Sequence, residues 1–173
     1  MSEPKFVPNT VYVTYIASTP AKVWEALTRA EFTRQYFFGH SIEVEAKVGG
    51  RFILRAPDGS VHMSGRVIEY DPPHRLATTW RVERMESFRE LPESLVTYEI
   101  EPMGGSVKLT MTEAHQWDIP DAILAGGRQG WPFILEPQER LGNRQADRDR
   151  REDGPPARDD GGRQGGGGEE TVG

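Results

Sequence analysis

The period of the hydrophobic pattern changes twice along the chain, and this change constrains the fold more than any other feature. Residues 11–16 (VYVTYI) are β-branched and aromatic, which predicts a strand. Thr19 and Pro20 then suit the cap and first turn of a helix. A second short helix is predicted over 30–37, and from Ser41 onward the apolar residues recur at every second position. A first strand is therefore followed by two helices rather than by a hairpin.

The region with period two predicts an antiparallel sheet, because apolar positions alternate with polar ones as they do when one sheet face is solvated. Its clearest part is a hairpin in which 96–100 and 107–111 flank a tight turn at Gly104. The predicted fold class is α+β, with a curved antiparallel sheet of six to seven strands and two short helices after strand 1. Two short helices cannot cover such a sheet, so a C-terminal helix is expected to begin near Trp131.

Composition divides the chain into a domain at 1–135 and a tail at 136–173. Every Trp, Tyr and Phe lies before Glu136, while the tail is rich in Gly and charged residues and has four apolar side chains. Such a segment buries too little apolar area to offset the entropy of ordering it, so the tail is predicted to be disordered. The first 135 residues are long enough for one hydrophobic core.

Several functional classes are disfavoured by the composition. There is no apolar run long enough for a transmembrane helix and no signal-peptide pattern, so no membrane association and a cytoplasmic location are expected. The chain has no cysteine, and its net charge of −6 gives none of the basic excess typical of nucleic-acid binding. The histidines lack metal-ligand spacing, and no phosphate-binding loop is present, so neither a metal nor a cofactor is predicted.

No catalytic constellation is evident either. A nucleophile elbow is absent, and paired-carboxylate catalysis has no specific support. Four polar residues on predicted strands are weak candidates for acid–base chemistry if their side chains point inward: His62, Arg66, Tyr98 and His115.

Aromatic residues are the richest feature of the predicted domain. An ordinary packed core explains them, and so does an apolar pocket with a few polar groups. The residues predicted to line such a pocket are apolar or aromatic and come from several elements: Tyr36, Phe38, Phe52, Leu54, Trp80, Tyr98, Met111, Trp131 and Ile134.

The order of elements, together with a set of short segments, resembles the START-like helix-grip (SRPBCC) superfamily. Within it, the chain is similar to the Hsp90 ATPase activator homologue family of small bacterial proteins, which is related to polyketide-cyclase-like domains. The matching segments are PAKVWEAL at 20–27, YF at 36–37, VGGRF at 48–52, GRVIEYDPPHRL at 65–76, Trp80 and GWP at 130–132.

The resemblance implies a small hydrophobic ligand held between the sheet and the C-terminal helix, in a sensor, carrier or sequestering role. Two alternatives stay open: a cyclase- or dehydratase-type enzyme that uses polar residues of the cavity, and a co-chaperone-like module for protein interactions. Hsp90 itself is not an expected partner, because the chain has no room for the second domain that the eukaryotic co-chaperone also uses on Hsp90.

The chain departs from the family pattern after Leu135, where Pro137 interrupts the expected helix. One codon choice for the stretch from Glu136, read one base later, gives a family-like helix that ends in Thr-Gly-Arg-Pro. We therefore expect a C-terminal helix that is truncated or altered, with a frameshift as one hypothesis and a natural extension as the other. Resequencing across codon 136 separates them. An incompletely covered sheet face would favour self-association.

Overall fold

Seven antiparallel strands form one sheet in the computed structural model, which describes residues 5–125, 128–132 and 134–135. In chain order the strands are β1 (Val7–Ile16), β2 (Ser41–Val44), β3 (Arg51–Arg55), β4 (Val61–Asp71), β5 (Arg75–Val82), β6 (Ser94–Met103) and β7 (Ser106–His115). Helices α1 (Pro20–Thr28) and α2 (Ala30–Tyr36) follow β1, and α3 (Glu86–Arg89) follows β5. The α+β prediction, with two short helices after strand 1, is confirmed.

The first strand lies beside the last, because the sheet order is β1-β7-β6-β5-β4-β3-β2. Their antiparallel register runs from Val7 opposite His115 to Ile16 opposite Val107, with an irregularity between Pro8 and Thr10. The other strands follow one another around the sheet as successive neighbours. The two ends of the sheet are therefore β1 and β2, and α1 and α2 connect them.

Local sequence explains why α1 begins where it does. Thr19 has extended backbone angles, and its side chain accepts a hydrogen bond from the Lys22 amide at 3.4 Å. Pro20 occupies the first turn, where its missing N–H leaves no hydrogen bond unmade. The buried side chains are Val23, Trp24 and Leu27, which lie on one face of the helix. The helix thus packs an apolar stripe on the concave side of the sheet.

The hairpin of β6 and β7 determines which side chains point into the core. Gly104 takes a positive φ of 68° in the turn, a conformation that glycine adopts without a Cβ penalty. Tyr98 then lies opposite Met111, and both side chains are buried. Because side chains alternate along a strand, every second residue of β6 and β7 shares one face of the sheet with Tyr98 and Met111. We call this the inner face. Its fully buried members on these two strands are Val96, Ile100, Val107, Leu109 and Met111.

The expected cover of the inner face comes from helical residues near the end of the described chain. Residues 121–125, 128–132 and 134–135 are helical, and Trp131, Ile134 and Leu135 belong to the hydrophobic core. The predicted change after Leu135 and the predicted disordered tail at 136–173 lie outside the described residues. The short helix α3 was not predicted, because four residues carry no readable periodicity.

Candidate functional site

Five aromatic side chains meet on the inner face between the sheet and the last described helical residues. Phe52 stacks on Trp80 with ring centroids 5.2 Å apart, and Trp80 lies 5.6 Å from Trp131. Phe37 and Tyr98 adjoin the group from opposite sides, at 6.2 Å from Trp80 and 6.4 Å from Trp131. We call Phe37, Phe52, Trp80, Tyr98 and Trp131 the aromatic cluster. Such offset and edge contacts contribute beyond the burial of apolar area.

A carboxylate lies at the edge of the aromatic cluster. Glu113 follows Met111 by two residues on β7, so the strand directs both side chains to the inner face. The Trp131 indole Nε1 donates a hydrogen bond to Glu113 Oε2 at 2.8 Å. Arg128 Nη2 donates to the Asn9 carbonyl at 3.4 Å, so residues 128–131 have polar contacts with both β1 and β7. Glu113 thus links the helical cover to the sheet.

An imidazole extends this polar edge. His115 Nε2 lies 3.6 Å from Glu113 Oε1, and its Nδ1 lies 3.0 Å from Asn9 Oδ1. A neutral imidazole has one N–H and can donate to only one of these oxygens, whereas the protonated ring donates to both. Burial lowers the pKa of His115, and this outweighs the opposite effect of the Glu113 carboxylate. The neutral form is therefore favoured in the folded domain.

Tyr98 contributes a buried phenol to the aromatic cluster. Burial raises the pKa of Tyr98 well above its ordinary value, and Tyr36 and Glu113 raise it further. The phenol therefore stays protonated throughout the physiological range. Tyr36, its neighbour, donates from its own hydroxyl to the Ala26 carbonyl at 2.8 Å. The site thus combines a carboxylate, an imidazole and a neutral phenol with apolar rings.

Most of the residues predicted to line a pocket are buried on this side of the sheet. Trp80, Tyr98 and Trp131 belong to the aromatic cluster, with Phe52 beside them. The remaining buried members pack in the same hydrophobic core: Tyr36, Leu54, Met111 and Ile134. Their convergence agrees with both sequence interpretations, a packed core and a ligand site. Their role in binding a ligand stays a prediction.

Phe38 does not join the other predicted lining residues. Its side chain is 62% exposed, and its backbone takes a φ of 51° at the end of α2. The adjacent Phe37 is buried instead and contacts Trp80. The run Tyr36-Phe37-Phe38 has no periodicity after the helix ends, so sequence alone did not distinguish the buried ring from the exposed one.

The four weak acid–base candidates lie in different places. Tyr98 and His115 are buried at the polar edge of the aromatic cluster, whereas Arg66 is exposed on the outer face opposite Arg51. His62 packs against His40, with ring centroids 4.7 Å apart. Burial lowers the pKa of His62, and the neighbouring positive groups lower it further. No hydrogen bond joins any two of the four candidates in the described part of the chain.

Glu113 is the functional candidate that the sequence interpretation missed. The alternation of Val107, Leu109 and Met111 continues to Glu113, so the signal was present as an acidic residue in an inward register. Residue type alone predicts the opposite orientation, because the side chain of a charged residue at the end of a strand usually points into solvent. Among residues 5–125, 128–132 and 134–135, no group of three or more His, Asp or Glu side chains is arranged to hold a metal ion.

Comparison with known proteins places this geometry in a family. The family model for "Activator of Hsp90 ATPase homolog 1-like protein" matches residues 17–139. The chain belongs to this family. Its sheet and helices form the START-like helix-grip fold of the SRPBCC superfamily, as the segment resemblance implied. No curated protein matches the chain.

Solved structures of relatives share the fold at low sequence identity. A protein from Mesorhizobium loti, MLL2253, is 26% identical with a TM-score of 0.62, covering 78% of this chain and 98% of that one. PFC0360w, described as an Hsp90 activator from Plasmodium falciparum, is 23% identical with a TM-score of 0.62, covering 76% and 94%. An Aha1 dimer from Colwellia psychrerythraea is 16% identical with a TM-score of 0.59, covering 76% and 94%.

The structure carries no helix long and apolar enough to cross a membrane within the residues it describes.

Proposed function

We propose that the domain binds a small hydrophobic or aromatic molecule on the inner face, beside Trp131 and Glu113. One observation carries the proposal: a carboxylate on the apolar side of the sheet has an indole N–H as its hydrogen-bond donor. Buried polar groups in a mainly apolar site fix the orientation of a ligand and give it specificity. A ligand with its own N–H or O–H can replace the indole at Glu113 while its apolar body packs on the aromatic rings.

The ligand class follows from this exchange. Glu113 is partly buried, so a molecule that displaces Trp131 without offering a donor of its own leaves the carboxylate with one hydrogen bond fewer, at a cost in free energy. Aromatic phenols and amines are therefore favoured over pure hydrocarbons of the same shape. The comparison of 2-naphthol with naphthalene isolates this preference, because the two molecules differ by one hydroxyl.

Tryptophan fluorescence with native mass spectrometry tests the proposal. We expect 2-naphthol to bind at least tenfold more tightly than naphthalene and to change the emission of Trp131, with Trp131→Phe identifying the signal. Glu113→Gln keeps the shape but weakens the acceptor, and we expect it to reduce the preference for 2-naphthol. Glu101→Gln, an exposed carboxylate in the β6–β7 hairpin, is the matched control. Equal affinity for both molecules, or no binding of either, would contradict the proposal.

The pair of Glu113 and His115 favours a second candidate, an enzyme of the cyclase or dehydratase kind. A carboxylate 3.6 Å from an imidazole nitrogen can share the transfer of a proton, and both groups lie at the edge of the aromatic cluster. Exchange of the α-protons of 2-tetralone into deuterated water tests for this activity. We expect exchange to be faster than in buffer alone and to be lost in Glu113→Gln. An unchanged rate would remove the candidate.

Interaction with Hsp90 stands as a third candidate, supported by similarity in fold to the Plasmodium falciparum protein described as an Hsp90 activator. The sequence predicts that Hsp90 is not a partner, whereas the similarity in fold favours an interaction. A direct measurement distinguishes these two hypotheses. Stimulation of the ATPase of a purified bacterial Hsp90 by the full chain would favour the interaction. An unchanged ATPase rate together with no binding in a pull-down would oppose it.

We propose that self-association uses a different surface from the one that the sequence predicted. Apolar residues of the inner face, such as Leu109 and Met111, are fully buried. A row of exposed apolar side chains lies instead on the outer face of β1, where Val11, Val13 and Tyr15 are each more than two-fifths exposed. No charged residue occurs between Lys5 and Lys22, so this stripe lacks the charges that normally discourage association at a sheet edge. Two copies meeting through β1 would cover it.

A further inference from the structure

A second concave surface lies on the outer face of the sheet, away from the aromatic cluster. It has a volume of about 520 Å³ and is formed by β3, β4 and the residues that lead from β5 into α3. Ile53 and Val61 supply apolar surface, and Ser60 and Ser64 supply hydroxyls. Arg84 and Arg89 complete the lining beside Glu83. We call this surface the outer groove. Its volume falls within the range of small-molecule sites.

The two arginines of the outer groove differ from their neighbours on the same face. Arg51, Arg55 and Arg81 each have a carboxylate within 4.0 Å, from Glu45, Glu43 and Glu93 respectively. Arg84 and Arg89 have no such ion pair with any described residue. Both side chains are exposed at the edge of the groove. The positive charge here thus has no direct carboxylate partner among the described residues, unlike that of Arg51, Arg55 and Arg81.

The carboxylates that lie close to these arginines already have other partners. Glu83 Oε1 accepts a hydrogen bond from the Ser64 hydroxyl at 2.5 Å, and Arg89 Nε donates to the Glu83 backbone carbonyl at 2.6 Å. Asp58 accepts from the amide and hydroxyl of Ser60 at 2.9 and 2.5 Å, and Arg84 acts on it only at longer range. Arg84 and Arg89 thus line the groove as exposed residues, and no described carboxylate forms an ion pair with either guanidinium.

We propose that the outer groove binds a small amphipathic anion, a carboxylate or sulfonate attached to an apolar or aromatic body. The guanidinium groups provide planar donors that match the geometry of an oxyanion, and Ile53 and Val61 provide apolar surface for the body. This site is independent of the inner face, because Ile53 and Phe52 are consecutive residues on β3 and point to opposite faces. Two ligands can therefore be bound at once.

Two matched fluorescent probes test the proposal on the full chain: 8-anilinonaphthalene-1-sulfonate and its neutral analogue N-phenyl-1-naphthylamine. We expect the sulfonate to bind with an affinity that falls at least tenfold in the double variant Arg84→Gln/Arg89→Gln and falls as salt rises. Arg81→Gln, whose arginine is paired with Glu93 outside the groove, should leave the affinity unchanged. The neutral probe should bind equally to all three proteins.

Backbone amide shifts in NMR spectra locate the bound probe even if a variant folds poorly. The sulfonate should shift the amides of Ser60, Ser64 and Glu83 in the wild-type chain and leave the indole N–H of Trp131 in place. Absence of binding, equal loss in Arg81→Gln, or shifts confined to the inner face would overturn the proposal. Shifts confined to the outer face of β1 would do so as well, because they would assign the probe to exposed apolar surface rather than to the arginines.

Discussion

The two faces of the sheet place charge in opposite surroundings. On the inner face, the partly buried Glu113 has Trp131 as its donor, and its side chain is 19% exposed. On the outer face, pairs such as Arg55 with Glu43 and Arg75 with Glu69 stand in solvent. A hydrogen bond that is shielded from solvent is costly to break, because one group is left without a partner. The groups of a solvent-exposed ion pair can be hydrated by water instead. Losing the hydrogen bond of Glu113 on the inner face should therefore cost more stability than losing an ion pair on the outer face.

The largest effect is expected at Trp131. Trp131→Ala should lower the free energy of unfolding by about 3–5 kcal/mol, because it removes ring contacts with Trp80 and Tyr98 and leaves Glu113 without its donor. Urea denaturation followed by circular dichroism measures this change. Trp131→Phe keeps an aromatic ring at this position but loses the indole N–H, so it should lower the free energy of unfolding by about 1–3 kcal/mol. If Trp131→Ala lowers the free energy of unfolding by less than about 1 kcal/mol, the inner face is no more sensitive to substitution than the outer face, and the comparison fails.

The next effect concerns pH and the two histidines with lowered pKa. Burial lowers the pKa of His62 and of His115 below the ordinary value of 6.5. Below pH 6.5 the unfolded chain therefore binds more protons than the folded domain, so stability falls as the pH falls from 6.5 toward the folded pKa values. The denaturation midpoint should be constant above pH 7.5 and should decrease below 6.5.

Substitution by glutamine identifies which histidine carries this dependence. His115→Gln and His62→Gln should each flatten the slope of stability against pH below 6.5. His115→Gln should also weaken the polar edge around Glu113, whereas His62→Gln should leave it intact. A slope that is the same in both variants and in the wild-type chain would show that other groups dominate the titration.

A smaller effect on stability, but a visible one on assembly, is expected on the outer face of β1. Val13→Lys adds a charge to the exposed apolar stripe and should abolish self-association in light scattering coupled to gel filtration. The free energy of unfolding should change by less than about 0.5 kcal/mol, since Val13 is 44% exposed. Val48→Lys, at an exposed position between β2 and β3, is the matched control. Association that persists in Val13→Lys would refute the assignment to β1.

The smallest effect is expected at Arg75, although this residue contacts two carboxylates. Its guanidinium pairs with Glu69 and with Glu99, linking three neighbouring strands on the outer face. Arg75→Gln should lower the free energy of unfolding by about 0.2–1 kcal/mol, and the difference should shrink in high salt. A salt-independent loss of several kcal/mol would mean that the outer face behaves like the inner one.

The sequence was informative about the fold because the fold depends on repeated signals. Alternation over ten-residue strands, a Thr-Pro helix start and a Gly-containing turn each act locally, and together they leave few topologies. The short helix α3 lacked such repetition. The order of strands in the sheet was not predicted, because pairing between β1 and β7 is a long-range contact that no local pattern records.

The sites were harder to predict, because they depend on single residues and on tertiary neighbours. Trp80, Tyr98 and Trp131 were identified by residue type, while Phe38 was misplaced because burial changes within one residue of a helix end. Identifying Glu113 required the register of its strand. Identifying the outer groove required knowing that Arg84 and Arg89 have no carboxylate partner among the described residues. The latter is a property of the folded surface, since arginines with and without partners look alike in a sequence.

The pairing of β1 with β7 affects how this chain must be made. A ribosome releases Val7–Ile16 before the other described strands, yet the strand that pairs with it ends only at His115, and the helical residues around Trp131 emerge later still. Until then a neutral, apolar strand has no permanent neighbour. Until β7 has been synthesised, nascent chains of this domain should therefore tend to aggregate or to bind a chaperone through β1. We expect this tendency to end only when β7 pairs with β1.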